Sequence, residues 1–216
     1  MATGHAPSNP IPAMRTYPPV EHPVVVIGPQ YLAQYPVELA VSTKLWTLGE
    51  NDFNVSDING TLIFQVKKKL LSLHDRRFLK EAAGNTLVNL KRVIMSIHQT
   101  WEVYRGESDE EKDKLFTVEK SNLFQLKTEL DVFLASNKGE VPDFKIKGEY
   151  GESACSVLLG DSKTMIAQMH KRHSLASAIL NPDSLGVIVY PNVDYAFIVA
   201  LVVILGRINA DQNGKD

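Results

Sequence analysis

Cysteine occurs once in the 216 residues, at Cys155. That excludes an internal disulfide and any Cys-x-x-Cys site for zinc or redox work, and it suits a reducing compartment. Charge of one sign is missing as well: 23 Lys and Arg stand against 25 Asp and Glu, a net charge of -2. Global electrostatics therefore recruit neither nucleic acid nor an anionic membrane, although a local basic patch is still open. Basic residues interleaved with aromatic stacking platforms are also lacking, and no nucleic-acid partner is predicted. Long hydrophobic runs are absent too. The most apolar stretch, Tyr195-Ala-Phe-Ile-Val-Ala-Leu-Val-Val-Ile-Leu205, makes about 16 Å of helix, whereas a bilayer takes about 20 apolar residues. No transmembrane segment is predicted. The N-terminus lacks the charged-then-apolar signal pattern, residue 2 is Ala, and the C-terminal Asn-Gly-Lys-Asp is no prenyl site. The expected location is intracellular and cytoplasmic, with a peripheral plasma-membrane or nuclear pool, and the Asn54 and Asn59 sequons are expected to stay unglycosylated.

What is present begins with that apolar stretch. It has no polar face, so as a helix it must be buried on all sides. Asp194 or Asn192 suits its N-cap, and Gly206 followed by Arg207 suits its end. Six of the 11 prolines (Pro7, Pro10, Pro12, Pro18, Pro19 and Pro23) fall in the first 23 residues. Residues 1–23 read as a flexible, partly polyproline II arm, residues 24–209 as one domain, and residues 210–216 as a polar tail.

From Val24 onward the chain alternates with period 2, the pattern of strands. Leu62, Phe64 and Val66 share a face, as do Phe116 and Val118, and Leu130, Val132 and Leu134. The alternation predicts strands over 61–67, 114–120, 129–134 and 143–147, with others near 38–46, 52–56, 86–92, 101–105, 154–159, 163–170 and 186–190. Asn59-Gly60, Gly84-Asn85, Asn137-Lys138-Gly139 and Gly160-Asp161 supply turns. A two-copy echo relates Thr61 through Lys67 to His74 with Thr86 through Lys91 to His98, which suggests a repeated strand-turn-strand unit. Many antiparallel strands and one wholly apolar helix point to a mainly β fold, a closed barrel of roughly ten to twelve strands with the helix filling its interior.

Chemistry-bearing motifs are few. His170-Lys-Arg-His173 has the wrong spacing for a His-Glu-x-x-His site, and Gly160-Asp-Ser-Lys-Thr164 lacks the glycines of a P-loop. No Gly-x-Ser-x-Gly elbow exists. His74 and His98 hold equivalent places in the echo, which favours a structural role such as a bond to neighbouring backbone. Cys155 reads as a buried inert thiol. No catalytic residue, metal site or cofactor is predicted, and the chain reads as no enzyme. The acidic stretch Glu107 to Asp113 reads as a solvated loop between strands. Two basic clusters remain: Lys67, Lys68 and Lys69 with Arg76 and Arg77, and Lys163 with Lys171 and Arg172. The first is the candidate anion or lipid-headgroup site, because Lys and Arg donors match phosphate oxygens.

Several segments together carry a family resemblance: Thr61-Leu-Ile-Phe-Gln-Val66, Ser72-Leu-His-Asp-Arg76, Ser96-Ile-His98, Trp101-Glu-Val-Tyr-Arg-Gly106, Ala167-Gln-Met-His-Lys-Arg-His173 and, above all, Tyr190-Pro-Asn-Val-Asp-Tyr-Ala-Phe-Ile198. From about residue 24 to about 209 the chain resembles the plant LURP-one-related family. The resemblance implies the fold shared with the tubby C-terminal domain and the phospholipid scramblases, an antiparallel barrel of about twelve strands around a central hydrophobic C-terminal helix. It implies a non-enzymatic binding module engaging a phosphoinositide or other anionic lipid as a membrane-tethered regulator, or alternatively a protein-interaction component of defence signalling. No tubby binding residue maps onto a matching position, and the cysteine-rich palmitoylation segment of the scramblases is missing.

Overall fold

The structure is a computed structural model that describes residues 17–42, 53–69, 75–121, 128–148, 155–171 and 184–212. Twelve strands close into one antiparallel barrel in which each pairs with its sequence neighbours and the first closes on the last. They are β1 (Val37–Ser42), β2 (Phe53–Asp57), β3 (Leu62–Lys68), β4 (Arg76–Glu81), β5 (Thr86–Arg92), β6 (Trp101–Arg105), β7 (Lys114–Lys120), β8 (Thr128–Leu134), β9 (Phe144–Gly148), β10 (Cys155–Leu159), β11 (Met165–Lys171) and β12 (Ser184–Val189). Closure leaves no unpaired edge among the described strands. The odd strands finish at one end, here the upper rim, and the even strands at the lower rim. Register shifts between Val55 and Ser56, Leu79 and Lys80, Val103 and Tyr104, and Val157 and Leu158 bend four even strands as they approach the lower rim.

The lumen is filled by α1, Tyr195–Gln212. Every side chain from Ala196 to Leu205 is fully buried. Phe197 meets Phe116 edge-on with ring centroids 5.1 Å apart and Phe144 at 5.0 Å. Burial of one such large apolar side chain contributes about 1.5–3 kcal/mol, so the helix and the inward strand faces stabilise each other. Asp194 starts the helix. Its Oδ1 accepts the Phe197 amide at 3.0 Å, and its Oδ2 accepts the amides of Val26, Ile27 and Gly28 at 3.2, 2.7 and 3.0 Å. One buried carboxylate thus caps α1 and fastens the segment before β1 across the lower rim. Asn192, the other N-cap expectation, sits at φ 65° and gives its amide to the Ala33 carbonyl at 2.8 Å.

Three expectations need correction. Gly206 does not end the helix, which runs on to Gln212 and past the expected domain limit at 209. A mid-helix glycine costs about 1 kcal/mol. Here ion pairs hold the last turns: Arg207 Nε lies 3.1 Å from Asp75 Oδ2, Arg207 reaches Asp211 at 3.5 Å, and Arg92 reaches Asp211 at 3.0 Å. Second, the N-terminal arm is packed before residue 23: Val20 is buried, and its amide bonds to the Pro191 carbonyl at 3.3 Å. Tyr17 stacks edge-on against Tyr190 at 5.2 Å. The rest of the arm, residues 1–16, lies outside the described residues. Third, β4 is a strand that the alternation did not predict. Four of its six residues are charged, and Arg77 takes an inward position where an apolar residue would complete the pattern. The other predicted strands are present within a few residues of their expected limits, and 43–46 lie outside the described residues.

Candidate anion-binding face

The pleat of β3 and β4 divides the first basic cluster. In register, Lys67 faces Phe78 and Lys68 faces Arg77, while the Lys69 amide bonds to the Arg76 carbonyl at 2.9 Å. Lys67, Lys69 and Arg76 therefore share the outer side of the sheet. Lys68 and Arg77 share the inner side, Lys68 exposed at the upper rim and Arg77 only 1% exposed. Arg77 Nε lies 3.4 Å from Asp75 Oδ1, and Asp75 also holds Arg207 of α1. Arg77 thus belongs to the charged group around the upper end of α1, away from the outer cations. Its phase with Leu79 is the signal in the sequence that could have shown this.

The outer face of β3 to β6 gathers cations that the sequence reading did not join to the cluster. Lys69 and Lys80 each lie 5.9 Å from the centre of the Phe78 ring, and Lys91 lies 5.9 Å from that of Tyr104. Lys91 is opposite Arg76 in the β4–β5 register. Lys91 also occupies the place of Lys67 in the two-copy echo, so the echo pointed to this face. The outward alternation Arg76, Phe78, Lys80 pointed to it as well.

The acidic loop between β6 and β7 runs up this face as a strap. Glu107 Oε1 accepts a bond from Thr86 Oγ1 at 3.0 Å and lies 3.8 Å from Lys80 Nζ. One residue on, the Ser108 carbonyl accepts the Asn89 side-chain amide at 3.0 Å. Asp109 then pairs with the Arg76 guanidinium. The Arg76 bond and charge hold the Asp109 carboxyl below the usual carboxylate range, with Lys91 and Lys69 adding to the effect. The Arg76 side chain is left 13% exposed. A loop expected to be merely solvated therefore pairs with two cations of a basic face, Arg76 and Lys80. A short helical turn at Glu111–Asp113 and the Ser108 Oγ bond to Asp113 at 2.6 Å fix its far end.

Other predicted positions take structural places. His98 Nδ1 donates to the Lys120 carbonyl at 3.2 Å, the backbone-bonded role expected of it, while His74 lies outside the described residues. Burial pushes the Cys155 thiol up to about 11, in keeping with an inert core cysteine. The second basic cluster is not assembled: Lys163 precedes β11 at the lower rim, Lys171 ends it at the upper rim, and Arg172 lies outside the described residues. A groove of about 460 Å³ near Tyr35, Ile58 and Tyr195 at the lower rim is lined by Glu38 and Asp57 with no cation, the wrong charge for an anion. Among the described residues no group of three His, Cys, Asp or Glu could hold a metal, and no helix is long and apolar enough to cross a membrane.

The sequence pattern of the LURP-one-related family matches residues 37–206, which take in all twelve strands and α1 to Gly206. The chain belongs to the LURP-one-related family. Protein LURP-one-related 15 of Arabidopsis thaliana is 45% identical over 189 residues, covering 87% of each chain. Protein LURP-one-related 10 of the same plant is 41% identical over 88% of this chain and 99% of its own length. Protein LURP1, also of Arabidopsis thaliana, is 39% identical over 88% of this chain and 92% of its own. An X-ray structure of an Arabidopsis thaliana protein superposes with a TM-score of 0.68 at 38% identity, over 86% of this chain and 98% of that one. The LURP-one-related barrel, twelve antiparallel strands around one C-terminal helix, is the tubby-like fold.

Proposed function

We propose that this protein is a non-catalytic binding module that engages an anionic lipid headgroup, with phosphoinositides as the leading class, through the outer face and upper rim of β3 to β5. The observation that carries this reading is the Asp109 carboxylate. It is an anion already held by Arg76 with Lys69 and Lys91 around it. A phosphate oxygen presents the same acceptor geometry with more charge, and guanidinium and ammonium donors suit it. Lys67, Lys68 and Lys69 extend the positive surface toward the rim, and Arg77 serves the fold. The tubby-like fold agrees with this reading without carrying it, since fold does not imply function.

Co-sedimentation of the purified chain with phosphatidylcholine vesicles, with and without phosphoinositide, across a salt series tests the proposal. Binding that needs the phosphoinositide and weakens with salt is the expected result. A chain that stays in the supernatant at low salt overturns it. The alternative would then be a protein-interaction component of defence signalling, pursued through residues 1–22 and the acidic strap.

A further inference from the structure

Of the seven large apolar side chains exposed among the described residues, three fall within four positions of the β5–β6 loop: Ile94 at 50%, Met95 at 95% and Ile97 at 73%. This loop is tied down. Val93 donates to the Thr100 carbonyl at 2.9 Å, Gln99 to that of Ser96 at 3.3 Å, and Lys120 to that of His98 at 2.9 Å. Ser96 Oγ and Thr100 Oγ1 are 2.6 Å apart, and the His98 ring bonds to Lys120. Met95 itself sits at φ 63°, a left-handed position that glycine, asparagine or aspartate would ordinarily fill. The chain places a long apolar side chain at the most exposed point of an ordered turn, against both backbone preference and solvation.

The surroundings identify what would cover it. From Arg92 to Thr100 there is no carboxylate. β3 ends at the same upper rim with Lys68 and Lys69 exposed, two strands away, or about 10 Å at ordinary strand spacing. Arg92, at the base of the turn, is already paired with Asp211 of α1, so the cations that would face a bilayer are those of β3 and its neighbours. Arg76 and Lys91, on the proposed headgroup face, stand at the upper end of β4 and the matching level of β5. A convex aliphatic tip beside cations complements a bilayer whose surface is anionic and whose interior is apolar.

We propose that the Ile94-Met95-Ser96-Ile97 turn inserts into the outer part of an anionic bilayer and docks the barrel by its upper rim, with the β3–β5 cations on the headgroups beside it. This rests on the anionic-lipid reading above and adds the element that enters the membrane. The test uses the full chain, phosphatidylcholine vesicles carrying phosphatidylserine or phosphoinositide, and lipid monolayers. Met95→Ser with Ile97→Ser should leave the melting temperature unchanged, because both side chains are largely in solvent. It should weaken vesicle affinity at least about tenfold, since the apolar burial is lost, and abolish the rise in monolayer surface pressure while the salt dependence stays as in the wild type. Wild-type binding with no loss in the double variant would overturn the insertion and leave charge-driven headgroup binding standing. A wild-type chain that binds no vesicle would overturn both.

Discussion

Arg76 and Arg77 are neighbours in β4, yet they meet opposite environments. Arg77 turns into the lumen, where Asp75, Arg207, Asp211 and Arg92 form a charged group around the upper end of α1. Arg76 turns outward, onto a face of lysines and two aromatic rings, and is covered by the Asp109 strap. The inner arginine is buried beside Asp75, which also pairs with Arg207 of α1, and cannot leave without exposing buried charge. The outer one is held by a single half-exposed carboxylate from a loop. Exposed ion pairs of the second kind are worth about 0–1 kcal/mol, whereas removing one partner of a buried pair costs about 3–5 kcal/mol. The same residue type is therefore structural on one side of the sheet and exchangeable on the other.

Substitutions on the two sides should separate these roles. The largest effect belongs to the lumen. Val199→Asp puts an unpaired charge inside the barrel, at a cost of several kcal/mol against a total stability of about 5–15 kcal/mol. It should yield no cooperatively folded protein by circular dichroism; a soluble variant with a sharp melting transition would mean that α1 is not central. Next, Arg77→Ala should lower stability by about 3–5 kcal/mol in denaturant titration, while the protein that remains folded binds vesicles as the wild type does. A change in headgroup affinity without a change in stability would erase the distinction between the two arginines. The smallest effect is a gain. Asp109→Asn keeps the shape of the strap and removes its charge, so anionic vesicles should bind about two- to fivefold more tightly, with little change in melting temperature. Weaker binding would mean that the strap helps to build the site.

Much of the barrel was legible because its strands alternate. Phe64 and Val66, Phe116 and Val118, and Leu130 and Val132 all point inward as their spacing requires, each fully or almost fully buried. The wholly apolar run after Asp194 could only be a lumen helix once a membrane span was too long for it. β4 was not legible because Arg77 stands at an inward position, where its charge reads locally as a break in the apolar alternation. The end of α1 was misread for a related reason. Gly206 signals a stop locally, and the ion pairs that carry the helix on to Gln212 come from Asp75 and Arg92, more than a hundred positions away in the chain. The site was legible as a cluster of cations but not as a face. Which of Lys67, Lys68, Lys69, Arg76 and Arg77 point together depends on register, and the strap over them depends on how the β6–β7 loop lies. The exposed aliphatic turn at Ile94 to Ile97 carries no motif, and only the structure distinguishes it from core sequence.

The central claim is that the outer cations hold an anionic headgroup. It is tested most directly by the salt dependence of phosphoinositide-vesicle affinity, measured for the wild type and for Lys69→Gln with Arg76→Gln. At about 1 kcal/mol per cation near an anionic surface, the double variant should bind about tenfold or more weakly and lose affinity less steeply as salt rises. Equal affinity and an equal salt slope in the two proteins would contradict the account.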